Sequence, residues 1–320
     1  MGTKLKFSQL KKHLSAANED TLYYLEGDDA YFHRKAVEMI TGKFVTALPE
    51  LNSVTLSSRD IKEIYSSCSV LPFMSEKRVV LLREWYPSEA DLKQLEKWGQ
   101  NPACVLVASN LLPWPPLKKY SERHTFVDCG KENAPTLAGW IAQIMAAEGK
   151  EIDRDAAFML AEYCSCDMVR IDSEIGKLKH LPGAVTAKDI EENVSKDVEY
   201  QAYMLASAVA EGKGNPYRII REYVSKGDAR AHTQLLASLY NNFRRMYYVK
   251  GSSRGEEELG RLLGVKPYAV SASARAARKF KKAALKKALK LISAAEYRIK
   301  SGSMGSETAL YFAVASLLRN

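Results

Sequence analysis

Four short apolar runs punctuate the first 130 residues. They are Leu22-Tyr23-Tyr24-Leu25, Val79-Val80-Leu81-Leu82, Cys104-Val105-Leu106-Val107-Ala108 and Thr125-Phe126-Val127. None alternates apolar with polar positions, so each predicts a strand buried on both faces, as in a parallel sheet covered by helices. Helical periodicity fills the gaps. After Gly27, Asp28-Asp29 puts acidic groups at the positive end of a helix bearing Tyr31, Val37 and Ile40. Ser88-Glu89-Ala90-Asp91 opens another with Leu92, Leu95 and Trp98, stopped by Gly99. Strand–helix alternation at this spacing predicts an α/β domain over residues 1–133.

The stretch Lys131-Glu132-Asn133-Ala134-Pro135 ends that pattern, and only helices follow. Leu137, Trp140, Ile141, Ile144 and Met145 form one stripe, closed by Gly149. Asp153 is placed to cap a helix over Ala156–Leu160. Met168, Ile171, Ile175 and Leu178 form a further stripe, ending near Leu181-Pro182-Gly183. Thr186-Ala187-Lys188-Asp189 resembles a capping box before Ile190 and Val194. These make a small helical domain, 134–204. Beyond it, breaks at Gly212–Pro216, Lys226-Gly227-Asp228, Lys250–Gly255, Gly264–Pro267 and Ser301–Gly305 leave about five helices, a bundle over 205–320.

A length of 320 residues accommodates such a multidomain arrangement, and 46% of the chain is hydrophobic. The longest apolar runs, such as Ala103–Ala108, fall far short of the roughly 20 residues that cross a bilayer. Met1-Gly2-Thr3-Lys4-Leu5-Lys6 leads into polar helical sequence, so neither a signal peptide nor a membrane is expected. Five cysteines (Cys68, Cys104, Cys129, Cys164, Cys166) lack disulfide-framework or zinc spacing, which fits a reducing cytoplasm. The net charge of +9 is uneven. Residues 205–320 hold 22 Lys/Arg against 8 Asp/Glu, a net of +14, and the remainder holds 25 against 30, a net of −5. That asymmetry suggests an anionic partner, nucleic acid first among candidates.

Strand–turn–helix architecture invites a nucleotide-binding reading. A phosphate-cradling loop needs G-x-x-x-x-G-K-[ST]: backbone amides, a lysine and a Mg²⁺-binding hydroxyl. Gly27-Asp28-Asp29-Ala30-Tyr31-Phe32-His33-Arg34 has one glycine and two acids where phosphates would sit. Thr41-Gly42-Lys43-Phe44 has neither the preceding glycine nor the following hydroxyl. The run at 79–82 ends in Arg83-Glu84, a cation where a metal ligand belongs. No G-x-S-x-G, H-E-x-x-H or kinase set is present. Cys129 and His124 lie close in sequence without a third group, which reads as ordinary burial. No intrinsic catalysis, cofactor or metal is expected.

Two segments stand out. Ser69-Val70-Leu71-Pro72-Phe73-Met74-Ser75-Glu76-Lys77-Arg78 fits neither helical nor strand period, and Pro72 pushes Leu71 out of the α region. Its bulky residues either cap the sheet core or form an exposed apolar plug for a partner's pocket. The second is Lys-rich: Arg275, Arg278, Lys279, Lys281, Lys282, Lys286, Lys287 and Lys290 surround a stripe of Phe280, Ala284, Ala288, Ile292, Ala295 and Ile299. One amphipathic helix is predicted. Its lysines read as a solvated face, as contacts to phosphates or acidic partner subunits, or as the basic side of a calmodulin-binding or membrane-surface helix.

Four motifs in order resemble the delta subunit of the bacterial DNA polymerase III clamp loader. They are Tyr23–Tyr31 with its Gly27-Asp28-Asp29; Leu71–Arg78 leading into Val79–Arg83; Gly149, Ile152, Ala156, Leu160, Asp167, Ile171, Glu174-Ile175 and Lys177-Leu178; and Asn242–Met246, Leu263–Pro267 and Ile299–Gly302. The resemblance implies an AAA+ clamp loader fold: a RecA-like α/β module, a small helical lid and a C-terminal helical collar. It implies a non-hydrolysing subunit of the polymerase III holoenzyme. Its partners would be the beta sliding clamp, the gamma/tau ATPase subunits, the delta-prime subunit and primed DNA. The clamp-binding element would be the plug. Leu71 and Phe73 would fill the clamp's apolar pocket, Val70 or Met74 would be the third anchor, and Pro72 would preset the bend. Lys279, Lys282, Lys286 and Lys290 would be candidates for DNA or partner contact. Without the resemblance, the residues also suit a non-enzymatic DNA-binding protein with a degenerate nucleotide-binding domain, or a divergent NTPase.

Overall fold

Six strands pair in parallel as one sheet, in the order β1-β6-β2-β5-β4-β3. They are β1 (Thr3–Lys6), β2 (Leu22–Glu26), β3 (Ser53–Leu56), β4 (Arg78–Arg83), β5 (Cys104–Asn110) and β6 (Thr125–Asp128). The computed structural model describes residues 3–16, 20–57, 59–98, 101–121, 124–211, 215–225, 229–265 and 267–318. The helix stop expected at Gly99, the break at Lys226-Gly227-Asp228, the first three residues of that at Gly212–Pro216, Lys266 and Met1-Gly2 lie outside the described residues.

The unbroken apolar runs became the central strands. All five residues of β2 are buried, as are six of the seven in β5. Register pairs Leu22 with Leu106 and Val79 with Val105. On one face Leu22, Tyr24, Val80, Leu82, Leu106 and Phe126 share a core with helices α4 (Ile61–Ser69), α5 (Glu89–Trp98) and α6 (Pro115–Tyr120). Helices α1 (Phe7–Ser15) and α2 (Ala30–Phe44) pack together, α2 against β2, β4 and β5, and a short α3 (Pro49–Asn52) precedes β3. Both edge strands carry no continuous apolar run. Thr3–Lys6 leads into helix α1, as expected, and is itself a strand, paired with β6 through Thr3↔Thr125 to Lys6↔Asp128. An edge strand is paired on one side only, and Lys4 and Lys6 suit that exposed position.

The chain divides into two compact units. The first takes Met1–Glu132 together with Cys166–His180, which contain α9 (Met168–Leu178). This helix packs on α2, where Arg34 pairs with Asp172 at 3.1 Å. The second unit takes Asn133–Ser165 and Leu181–Asn320. Its first part holds α7 (Ala134–Ala147), α8 (Arg154–Tyr163) and α10 (Ala187–Asn193), with the Thr186–Asp189 capping box formed as expected. Asp153 sits at the cap position of α8, but its side chain makes no capping bond there.

The rest of the second unit is α11 (Val198–Glu211), α12 (Pro216–Val224), α13 (Ala229–Lys250), α14 (Glu256–Leu263), α15 (Pro267–Ala277), α16 (Lys282–Lys300) and α17 (Ser306–Leu318). One core joins Ala202 and Leu205 of α11 to Leu235, Leu239 and Phe243 of α13, Ile292 of α16 and Leu310 of α17. A fully buried side chain of Leu or Phe size is worth roughly 1.5–3 kcal/mol. The expected single Lys-rich helix is two helices. Between α15 and α16 the chain breaks so that Phe280 meets Phe243 edge-on at 5.8 Å and Lys282 lies over the Tyr247 ring at 5.5 Å. Arg278 and Lys279 tolerate helix, so no residue there announces the break. With the register reset, Leu285 is buried and Ala284 only half-buried.

The turn after β2 lies at the point where the strand order reverses, the place where nucleotides bind in this class of sheet. Here the chain's own groups fill it. Asp29 caps α2, accepting from the amides of Tyr31 (3.0 Å) and Phe32 (3.4 Å). His33 bonds Ser109 Oγ at 2.8 Å and the Gly27 carbonyl at 2.9 Å, and burial lowers its pKa. Gly27 has no room for a side chain, since a Cβ would stand 2.2 Å from the Cys129 backbone. Burial raises the Asp29 pKa above the usual carboxylate value, so the folded chain holds that proton more tightly than the unfolded chain does. Stability from this group is therefore present below the unfolded pKa of about 3.9 and is lost as pH rises through the folded value. Asp29→Asn keeps the capping oxygen without the charge. Its stability relative to the parent, from urea midpoints, is expected to be more favourable at pH 7 than at pH 4.

Candidate functional site

The aperiodic segment Val70–Met74 follows α4 and precedes β4. Asp60 starts α4 by accepting from the Lys62 amide, and Val70, already extended at φ −67°, ψ 130°, ends it. Pro72 cannot donate a backbone hydrogen bond, so the chain runs on as irregular structure. Four large apolar side chains in five residues face solvent: Val70 is 48% exposed, Leu71 74%, Phe73 57% and Met74 76%, with Pro72 half-buried. Of the two sequence alternatives, capping the core is thereby removed. A contiguous apolar surface of this kind marks an interaction site.

Its backbone is firmly held. Asn52, fully buried at the end of α3, brackets Phe73. The Phe73 amide donates to Asn52 Oδ1 at 2.7 Å, and Asn52 Nδ2 donates to the Phe73 carbonyl at 2.8 Å. The same Nδ2 reaches the carbonyls of Ala47 (2.8 Å) and Leu48 (3.2 Å). Alongside, Ser75 Oγ accepts from the Thr46 amide at 3.0 Å, and Arg78 donates to the Leu51 carbonyl at 2.9 Å. Lys77 lies over the Phe44 ring at 5.0 Å. Met74 and Leu48 both take positive φ, 54° and 47°, a conformation costing a non-glycine residue roughly 1–2 kcal/mol. Asn52 was not picked out from the sequence. In Leu51-Asn52-Ser53 it looks like any polar residue before a strand.

Leu71 also borders a cavity of about 400 Å³ with Tyr65, Cys68, Leu95, Cys104 and Leu106. The hydrogen bond between the thiols of Cys68 and Cys104 raises the pKa of the first and lowers that of the second. Cys129 is buried, as expected, and burial pushes its thiol up.

The four candidate lysines do not form one cluster. Lys286 and Lys290 of α16 line a groove of about 500 Å³ with Tyr240, Leu289, Ser293 and Tyr297. Lys282 is engaged with Tyr247, and Lys279 is exposed in the break between α15 and α16. Among the described residues no group of three or more metal-ligating side chains occurs, and no helix is long and apolar enough to cross a membrane.

Residues 23–113 match the family model described as DNA polymerase III, delta subunit. Residues 199–317 match the model of the DNA polymerase III delta subunit, C-terminal domain. The chain belongs to the DNA polymerase III delta subunit family. The Bacillus subtilis DNA clamp loader delta protein, YqeN, has the same fold as this delta-family chain: TM-score 0.72, 18% identity, 98% of this chain and 100% of that one covered. The Thermotoga maritima RuvB Holliday junction branch migration motor reaches a TM-score of only 0.40 at 13% identity, over 82% of this chain and 84% of that one. No match was found among curated proteins. The expected α/β module with a parallel sheet followed by helices is the fold of this delta-family chain.

Because Leu71 and Met74 are mostly in solvent, Leu71→Ala and Met74→Ala are expected to change folding stability by less than about 0.5 kcal/mol, measured by urea denaturation.

Proposed function

We propose that this delta-family chain binds the beta sliding clamp through the plug and holds one ring interface open. Exposure of Val70, Leu71, Phe73 and Met74 on a backbone pinned from below is the observation that carries this reading. Leu71 and Phe73 enter an apolar pocket of the clamp, with Val70 or Met74 as third anchor. Pro72 and the bonds to Thr46 and Asn52 hold the bend, which lowers the ordering cost of binding. Opening works by differential affinity: the plug shifts the ring only as far as it binds the open form more tightly.

The gamma/tau subunits would supply ATP hydrolysis and, with delta-prime and this chain, load the clamp on primed DNA in the cytoplasm. Helices after residue 133 would serve as lid (134–204) and collar (205–320). No nucleotide chemistry is assigned to this chain. The turn after β2 gives its first helical amides to Asp29, and membership of the delta family agrees with a non-catalytic subunit.

Truncating a central anchor typically costs about 2 kcal/mol or more, and 1.4 kcal/mol is a factor of ten. Leu71→Ala with Phe73→Ala is therefore expected to weaken clamp binding by at least about a hundredfold in surface plasmon resonance. Unchanged affinity would refute the plug assignment.

The groove with Lys286, Lys290, Tyr240 and Tyr297 favours a second contact, with DNA held in the assembled loader. Lysines supply charge to phosphates and tyrosine rings supply stacking surface. Lys286→Ala with Lys290→Ala is expected to leave clamp affinity intact. It should weaken primed-DNA binding by the complex and flatten its log–log salt slope by roughly two.

A further inference from the structure

We infer that Asn52 is the positioning residue of the plug: its buried side-chain amide acts as a one-residue strand partner for Phe73 and fixes the shape in which the apolar side chains are presented. This rests on the clamp-binding reading for its consequence, though not for its geometry.

A strand neighbour offers a residue one acceptor and one donor. The Asn52 carboxamide offers the same pair, at 2.7 and 2.8 Å, to the amide and carbonyl of Phe73. Elsewhere in the plug, Val70 lies beyond α4, Pro72 has no amide to donate, and Met74 sits at φ 54°. The amide is fully buried, and its remaining donor capacity is taken by Ala47 and Leu48. It cannot turn to water without leaving several buried polar groups unmet. Two left-handed non-glycine residues, Leu48 and Met74, flank the two sides of the bracket. Such conformations persist where the surroundings over-determine them, and they gather at binding sites. Only Asn supplies donor and acceptor at this reach. Asp keeps the acceptor and sets an anion against three carbonyls, and Ala keeps neither.

The experiment uses the full chain and two readouts. Hydrogen exchange at the Phe73 amide is measured first in the parent. Strong protection is expected, and exchange at the unprotected rate would overturn the inference without any variant. Asn52→Ala and Asn52→Asp are then expected to speed exchange at Phe73 and to weaken binding to the beta clamp by about tenfold or more, chiefly through lost preorganisation. Val107→Ala, a core change in β5 remote from the bracket, serves as the stability control. It should lower the melting temperature while leaving Phe73 protection and clamp affinity near the parent's. Should Asn52→Ala not fold, Asn52→Asp carries the same test. If Leu71→Ala with Phe73→Ala abolishes clamp binding while both Asn52 variants bind as the parent does, the inference falls and the clamp reading stands. If the Leu71/Phe73 double variant binds normally, the clamp reading falls, and Phe73 exchange alone decides whether Asn52 shapes the loop.

Discussion

Parallel pairing of β4 between β3 and β5 sets the terms for everything around the plug. Both neighbours fix its register, through Ser53↔Val79 on one side and Arg78↔Cys104 on the other. The strand is buried from Val79 to Leu82 and flanked by Arg78 and Arg83, so a slip of one residue would carry an arginine into the buried stretch. Helix α4 is equally fixed, since Ile64 lies in the core beneath it. The residues between these two anchors are therefore tethered at both ends. Val70, Leu71, Phe73 and Met74 in that span reach solvent.

The other end of the sheet shows the opposite solution. At the turn after β2, the first helical amides and the His33 ring are engaged by the chain's own groups. Asp29 takes the helix amides, His33 takes the Gly27 carbonyl and Ser109, and the Cys129 backbone closes against Gly27. One sheet thus carries a site closed by its own side chains and a surface opened by the lack of them.

What the sequence revealed followed burial. The central strands were legible because both faces are covered, which forces unbroken apolar runs. The edge strands Thr3–Lys6 and Ser53–Leu56 were not, because half their surface meets water and their composition is free to be polar. The capping box at Thr186 formed as read, and of the acidic pair placed at the start of α2, Asp29 became its cap. The break after Ala277, by contrast, depends on Phe280 finding Phe243, a contact 37 residues away in the chain that no local pattern records. The plug was visible through its lack of period. Asn52 was invisible for the same tertiary reason as the helix break: its partner, Phe73, lies 21 residues further along.

The bracket recognises main chain alone. Asn52 bonds the amide and carbonyl of residue 73, groups that do not depend on which side chain stands there. Shape and surface chemistry at the plug are therefore held by separate atoms. The side chains at 70, 71, 73 and 74 can drift to follow a changing partner pocket while the loop keeps its outline. For the same reason the segment is a ready graft site, in which a different short apolar epitope could be displayed on an unchanged scaffold.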